Sequence, residues 1–119
     1  MSCCEQVTLS STNSDFLSSG YKVFAGTYSK YTSNPEVNDR MVYKLDGSST
    51  AYCLFYAVGR WAISKCENVG AGNYYVKSAN TPKKCVNGVT DWQYSSNPDT
   101  TMNIVCSECK NKWDYFTYL

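Results

Sequence analysis

A chain of 119 residues has room for one hydrophobic core and is too short for two independent ones. Eleven basic residues against ten acidic leave a net charge of +1, and no run of like charge exceeds Lys83-Lys84, which excludes a nucleic-acid or anionic-membrane binder. Histidine is absent, so the usual general base, most catalytic zinc sites and any Ser-His or Cys-His pair are missing. The carboxylates lie mainly in turns without glycosidase spacing. A non-enzymatic protein is expected.

Residues 1–20 are rich in Ser, Thr and Asn, and carry Cys3-Cys4 and the stretch Gln6 to Ser10, which reads as an edge strand or an arm. They contain no apolar leader, so a signal peptide is expected to be absent or already removed. A helical turn near Asp15-Phe16-Leu17 would be capped by Asn13 or Ser14. Tyr21 to Ala25 alternates and is predicted to open the β body, which runs over residues 21–119. Ser33 to Asp39 is turn-rich, Arg40 to Leu45 reads as a strand, and Asp46 to Ser49 has turn chemistry.

The best-specified stretch is Tyr52 to Cys66, YCLFYAVGRWAISKC. Its two aromatic and branched runs flank Gly59-Arg60, which predicts a hairpin with a type II′ turn. In that register Val58 faces Trp61, Tyr56 faces Ile63, Leu54 faces Lys65 and Cys53 faces Cys66. The last pair would be non-hydrogen-bonded, with Cα atoms about 4.5 Å apart, within disulfide range. Leu54, Tyr56, Val58, Trp61 and Ile63 share one face, and Cys53, Phe55, Ala57, Ala62, Ser64 and Cys66 the other. Both are largely apolar, so this hairpin should be central and covered on both sides.

Further strands are predicted at Asn73 to Ala79, Val89 to Tyr94 and Met102 to Cys106, and in the aromatic tail Trp113 to Leu119. With 11 Tyr and 15% aromatic residues, the composition favours strands over helices. The expected fold is all-β, an antiparallel sandwich or small barrel of about seven to nine short strands.

Seven cysteines in 119 residues point to an oxidising, extracellular compartment, although no Asn-x-Ser/Thr acceptor is present. Beyond Cys53–Cys66, the pairings expected are Cys85 with Cys106, and Cys109 with Cys3 or Cys4. Odd parity leaves one of Cys3 and Cys4 for an intermolecular bond. Cys106 and Cys109 form a CxxC that would join Cys3 and Cys4 in a zinc clasp, but the vicinal pair fits zinc spacing poorly, and no metal is expected.

The succession Gly26-Thr27-Tyr28, Asn38-Asp39-Arg40-Met41-Val42-Tyr43-Lys44, Leu54-Phe55-Tyr56 and Trp61-Ala62-Ile63 resembles a repeat of large invertebrate, algal and protist proteins. The repeat pattern runs GxY, NGRPVYK, LYY, WxI. The likeness continues through Tyr75 to Ala79, Pro82 and Trp92, and departs at Asp39 and Met41, where the pattern has Gly and Pro. It implies a compact β module of secreted or surface proteins, used in adhesion or matrix construction, without assigned chemistry.

Three functions follow as expectations. The first is an extracellular structural or adhesive subunit that self-associates into a fibre or matrix, by strand addition or an intermolecular disulfide. The second is a carbohydrate-binding module in which Trp92 and Tyr94, beside Asn97 and Asp99, or Tyr28 and Tyr31, beside Asn34 and Asn38, stack on sugars. Core packing is the competing use of these rings. The third is the intracellular zinc-clasped interaction domain. Glu36, Asn38 and Asp39 offer too few oxygens for calcium, and no cofactor is expected.

Overall fold

A computed structural model describes residues 3–107. Cys109 and the predicted terminal strand Trp113 to Leu119 lie outside them. The described chain is all-β, built around one nine-stranded antiparallel sheet. Its strands are β1 (Gln6–Ser10), β2 (Gly26–Lys30), β5 (Tyr43–Leu45), β6 (Tyr52–Ala57), β7 (Arg60–Lys65), β8 (Val76–Lys77), β9 (Trp92–Tyr94), β10 (Asn97–Asp99) and β11 (Asn103–Cys106). A separate small hairpin pairs β3 (Glu36–Val37) with β4 (Arg40–Met41). The spatial order is β10-β9-β8-β7-β6-β5-β2-β1-β11. The outermost strands β10 and β11 are thus near neighbours in sequence, and the sheet curls into a half-barrel.

Period-two alternation places Val7, Leu9, Tyr28, Tyr43, Leu54, Trp61, Ile63 and Ile104 in the curl, all buried. Two short helices close over this core. Asn13 caps α1 (Ser14–Leu17) by accepting from the Phe16 N–H at 3.0 Å. Phe16 then meets Tyr94 edge-on, with ring centroids 5.1 Å apart.

Gly20–Phe24 is a 3₁₀ helix, where alternation predicted a strand. The Ser19 hydroxyl accepts from Tyr21 N–H, and a period of three carries Tyr21 and Phe24 to the core while Val23 stays exposed. Gln6–Ser10 is also reassigned. It is an interior strand, bonded to β2 on one side and β11 on the other, rather than an edge or a free arm.

The central hairpin keeps its predicted faces along both strands but changes its register, which moves Val58 from the inner face into an exposed turn, and Cys66 lies beyond the strand in a 3₁₀ turn. Tyr56 faces Trp61, Leu54 faces Ile63 and Cys53 faces Ser64. The turn is Val58-Gly59, with both residues at positive φ as a type I′ turn requires. This register pairs Leu54 with Ile63 and moves Lys65 opposite Tyr52, whereas the predicted register set Lys65 against Leu54. Apolar cross-strand matching therefore outweighs the local preference of Gly59 for the first turn position. Because the shift is two residues, no side chain within the strands changes face.

On the outer face, Val42, Cys53, Phe55 and Ala57 form a second buried cluster, with Val37, Cys66 and Val69 packed against it. Arg40 fastens the covering β3–β4 hairpin: its guanidinium lies 3.7 Å from the Tyr56 ring centroid and donates to the carbonyls of Pro82 and Lys83. The predicted strand Arg40 to Leu45 consequently divides at Val42, one half joining β3 and the other the main sheet.

Three disulfides join described residues: Cys3–Cys85, Cys4–Cys106 and Cys53–Cys66. The third is as predicted, with Cα atoms 4.8 Å apart although the two residues are not directly opposite. The 3₁₀ turn Cys66–Asn68 brings Cys66 back across the hairpin. The Cys85–Cys106 pairing, the pairing of Cys109 with Cys3 or Cys4 and the unpaired Cys3 or Cys4 are corrected. As an interior strand beside β11, β1 brings Cys4 against Cys106 and leaves Cys3 for Cys85.

The return from β10 to β11 is fixed by Asp99, which is 1% exposed. Burial works to raise its pKa. Hydrogen bonds from the Ser11 and Thr101 hydroxyls and the Thr101 and Met102 N–H groups outweigh burial and hold the carboxyl below its usual range. A depressed native pKa gives stability that is present above the unfolded value of 3.8 and is lost as pH falls through the native value. Asp99→Asn should therefore destabilise the protein at pH 7 by about 1–3 kcal/mol, the usual cost of disrupting hydrogen bonds to a charged group. In urea melts at a series of pH values, the gap to the parent protein should close below the unfolded value. A gap that persists at low pH would assign the effect to packing.

Candidate functional site

The sequence-predicted sugar platform is internal. Trp92 is buried and its indole N–H donates to the Val89 carbonyl at 2.9 Å, while Tyr94 packs between Phe16 and Tyr21. Tyr28 is fully buried, its hydroxyl donates to the Phe24 carbonyl at 2.7 Å, and burial raises its pKa. None of the three presents a ring face to a ligand, so stacking by Trp92, Tyr94 and Tyr28 is corrected to core packing. Trp92-Gln93-Tyr94 shows why: alternation in β9 turns both rings inward and leaves Gln93 outside.

Asn97 is exposed at the β9–β10 turn. Tyr31 is half-buried at the edge of the outer cluster and lines a shallow polar depression with Lys30, Lys44 and Asp46. Asn38 donates to the Tyr56 carbonyl at 2.8 Å, which ties it to the hairpin. The sulfurs of Cys3, Cys4 and Cys106 are consumed in disulfides, so the proposed thiolate clasp does not form.

The outer face of β7–β10 carries a different arrangement. One cross-strand row runs Ala62, Lys77, Gln93, Pro98, with Arg60 beside it. Two adjoining openings flank the row, of ≈ 260 Å³ and ≈ 240 Å³, and both are lined by Arg60 and Lys77. Val58, Ala62, Gly72 and Tyr74 make the first opening mainly apolar. Asp91, Gln93 and Thr100 add polar groups to the second, which Ala79, Trp92 and Pro98 also line.

Small residues keep the first opening clear. A Cβ on Gly72 would stand 3.6 Å from Val58 Cγ2 and narrow it. Tyr74 is 45% exposed, and Lys77 Nζ donates to its hydroxyl at 2.6 Å. That hydrogen bond, helped by the charges of Lys77 and Arg60, outweighs desolvation and holds the phenol below its usual pKa. Among the described residues neither cation is paired with a carboxylate; the one ion pair is Lys30–Glu5, across 4.0 Å.

Val58 is the strained element. It is β-branched, sits at φ 53° and is 73% exposed, so neither backbone preference nor burial accounts for it. Sequence reasoning assigned Val58, Arg60, Tyr74 and Lys77 to strands and turns and missed their convergence. The one local signal was Val, rather than Asn or Asp, immediately before the turn glycine.

Comparisons with known protein families, with curated proteins and with solved structures find no match to this chain.

Proposed function

We propose that this protein is a non-enzymatic extracellular adhesive module, a disulfide-fastened β scaffold that binds through the groove on its outer face. The observation that carries this reading is the strained, exposed Val58 at the mouth of a groove whose two cations have no carboxylate partner among the described residues. Three disulfides are typical of extracellular proteins, and among the described residues no helix is long and apolar enough to cross a membrane. Tyr74 and Lys77 make an acid–base pair, but the described lining of the first opening places no nucleophile beside them.

The reading rests on the groove rather than on strand exchange, since β1 already has partners on both flanks. β10 carries Pro98, and Gly88 donates to the Ile104 carbonyl on β11 at 3.2 Å, so both outer edges are partly blunted. Several residues behind the repeat likeness, Tyr43, Leu54, Trp61, Ile63 and Val76 among them, are core residues. The likeness would therefore report a shared scaffold and leave the ligand to the surface.

Val58→Asn tests the reading, because Asn tolerates the left-handed region that Val resists. The variant should gain about 1 kcal/mol of stability in urea unfolding. It should also lose retention on surfaces coated with matrix proteins and glycans, relative to the parent protein. A stabilised variant that adheres as well as its parent would remove Val58 and the first opening from the function.

A further inference from the structure

Taking the groove as the binding surface, we propose that its ligand is a glycan in which an acidic sugar adjoins a neutral one. The acidic sugar occupies the first opening and the neutral sugar the second. The argument begins with the unequal charge of the two openings.

Arg60 and Lys77 stand at their junction, and no carboxylate lines the first opening among the described residues. Among the described residues the Arg60 side chain has no hydrogen bond or ion pair, which leaves its five N–H donors for a ligand. Lys77 spends one donor on Tyr74 and has two left. An anionic group at the junction meets both cations, while the C–H face of a sugar ring rests on Val58 and Ala62.

The second opening asks for something else. Asp91 lines it, and among the described residues no cation pairs with its carboxylate, whose one hydrogen bond comes from the Thr90 hydroxyl at 3.3 Å. Gln93 and Thr100 add an amide and a hydroxyl without described partners, whereas Ser78 is already engaged with Trp61 N–H and the Ala79 carbonyl. Asp91 accepts from sugar hydroxyls and repels a second anion. A uniformly charged chain therefore meets attraction in one opening and repulsion in the next, and an alternating chain fits both.

An acidic peptide fits less well. Its backbone N–H and C=O groups need partners of the kind a sheet edge supplies, and this site is a sheet face that presents side chains.

The test is isothermal titration calorimetry on the intact oxidised protein with five probes. Hyaluronan oligosaccharides alternate a uronate with a neutral amino sugar. Polygalacturonate and dextran sulfate are uniform carboxylate and sulfate chains, dextran is neutral and polyglutamate is an acidic peptide. Hyaluronan oligosaccharides should bind best. Arg60→Gln and Lys77→Gln should each weaken that binding by about fivefold, with urea midpoints unchanged. Asp91→Asn should raise affinity for polygalacturonate and dextran sulfate, narrowing the preference.

Preference for polyglutamate, equal binding of every anion with no response to Asp91→Asn, or dextran binding that ignores both cation variants would each overturn the glycan assignment. So would the absence of binding by all five probes. The adhesive reading is decided separately, by the Val58→Asn retention comparison.

Discussion

Replacing Cys4 and Cys106 together by alanine should lower the unfolding free energy by about 4–5 kcal/mol, the loop-closure value for a cross-link of this span. The bridge joins residues 102 apart in sequence. A domain of this size is usually stable by about 5–15 kcal/mol, so about a quarter or more of the total would go. The melting temperature should fall by roughly 15 °C or more. Cys4 is buried against the core, and its carbonyl accepts from the Tyr43 hydroxyl at 2.6 Å, which anchors this end of β1 to β5. Burial, followed by the nearby Glu5 charge, pushes the Tyr43 phenol up to about 12, so it stays a donor throughout the physiological range. The Cys53→Ala/Cys66→Ala pair should cost less, about 3 kcal/mol, because its bridge spans only 13 residues in an already ordered hairpin. Urea melts of the two double variants, with peptide mapping of the oxidised protein, give the check. Equal losses, or a mapped Cys85–Cys106 peptide, would refute the connectivity.

The contrast between these bridges shows what sequence can specify. Cys53 and Cys66 flank one turn, and the distance between hairpin strands places them within reach even when the register shifts by two residues. Cys3, Cys4, Cys85 and Cys106 are brought together by the order of strands across the sheet, which no local pattern encodes. Faces behaved like the first case. Leu54, Trp61 and Ile63 were assignable to the core because alternation survives a two-residue slip. The Val58-Gly59 turn was not, because it depends on how Leu54 and Lys65 are matched across the hairpin.

The candidate site belongs to the second case. Arg60, Lys77, Gln93 and Asp91 come from β7, β8, β9 and the loop before β9, and they converge through pairing of short strands. The aromatic-rich segment around Trp92 drew attention by composition, yet its own alternation buries the rings and exposes the residue between them. Short strands with inward aromatics thus conceal a functional face better than they conceal a core.

Trp61→Ala is the single substitution with the largest expected cost, about 3–5 kcal/mol by loss of buried area and formation of a cavity. Trp61 is fully buried, meets Tyr56 in an edge-to-face contact at 5.7 Å and donates from its indole N–H to the Lys83 carbonyl at 3.3 Å. The Tyr56 hydroxyl donates to the Thr81 carbonyl, and Arg40 reaches the Pro82 and Lys83 carbonyls in the same loop. The cross-strand pair Tyr56–Trp61 thus holds the segment that leads into Cys85. Alanine removes both the filler of the curl and one of the loop's fastenings. Trp61→Phe separates the two, since it keeps most of the volume and drops the N–H, and should cost only about 1–2 kcal/mol. The signature of the loop fastening is local: in native-state hydrogen exchange, the Lys83 amide, which donates to the Thr81 hydroxyl, should lose protection in the Phe variant while β1 and β2 keep theirs. If Trp61→Ala costs no more than Trp61→Phe, the ring does not fill the core, and the inward face assigned to the central hairpin is wrong.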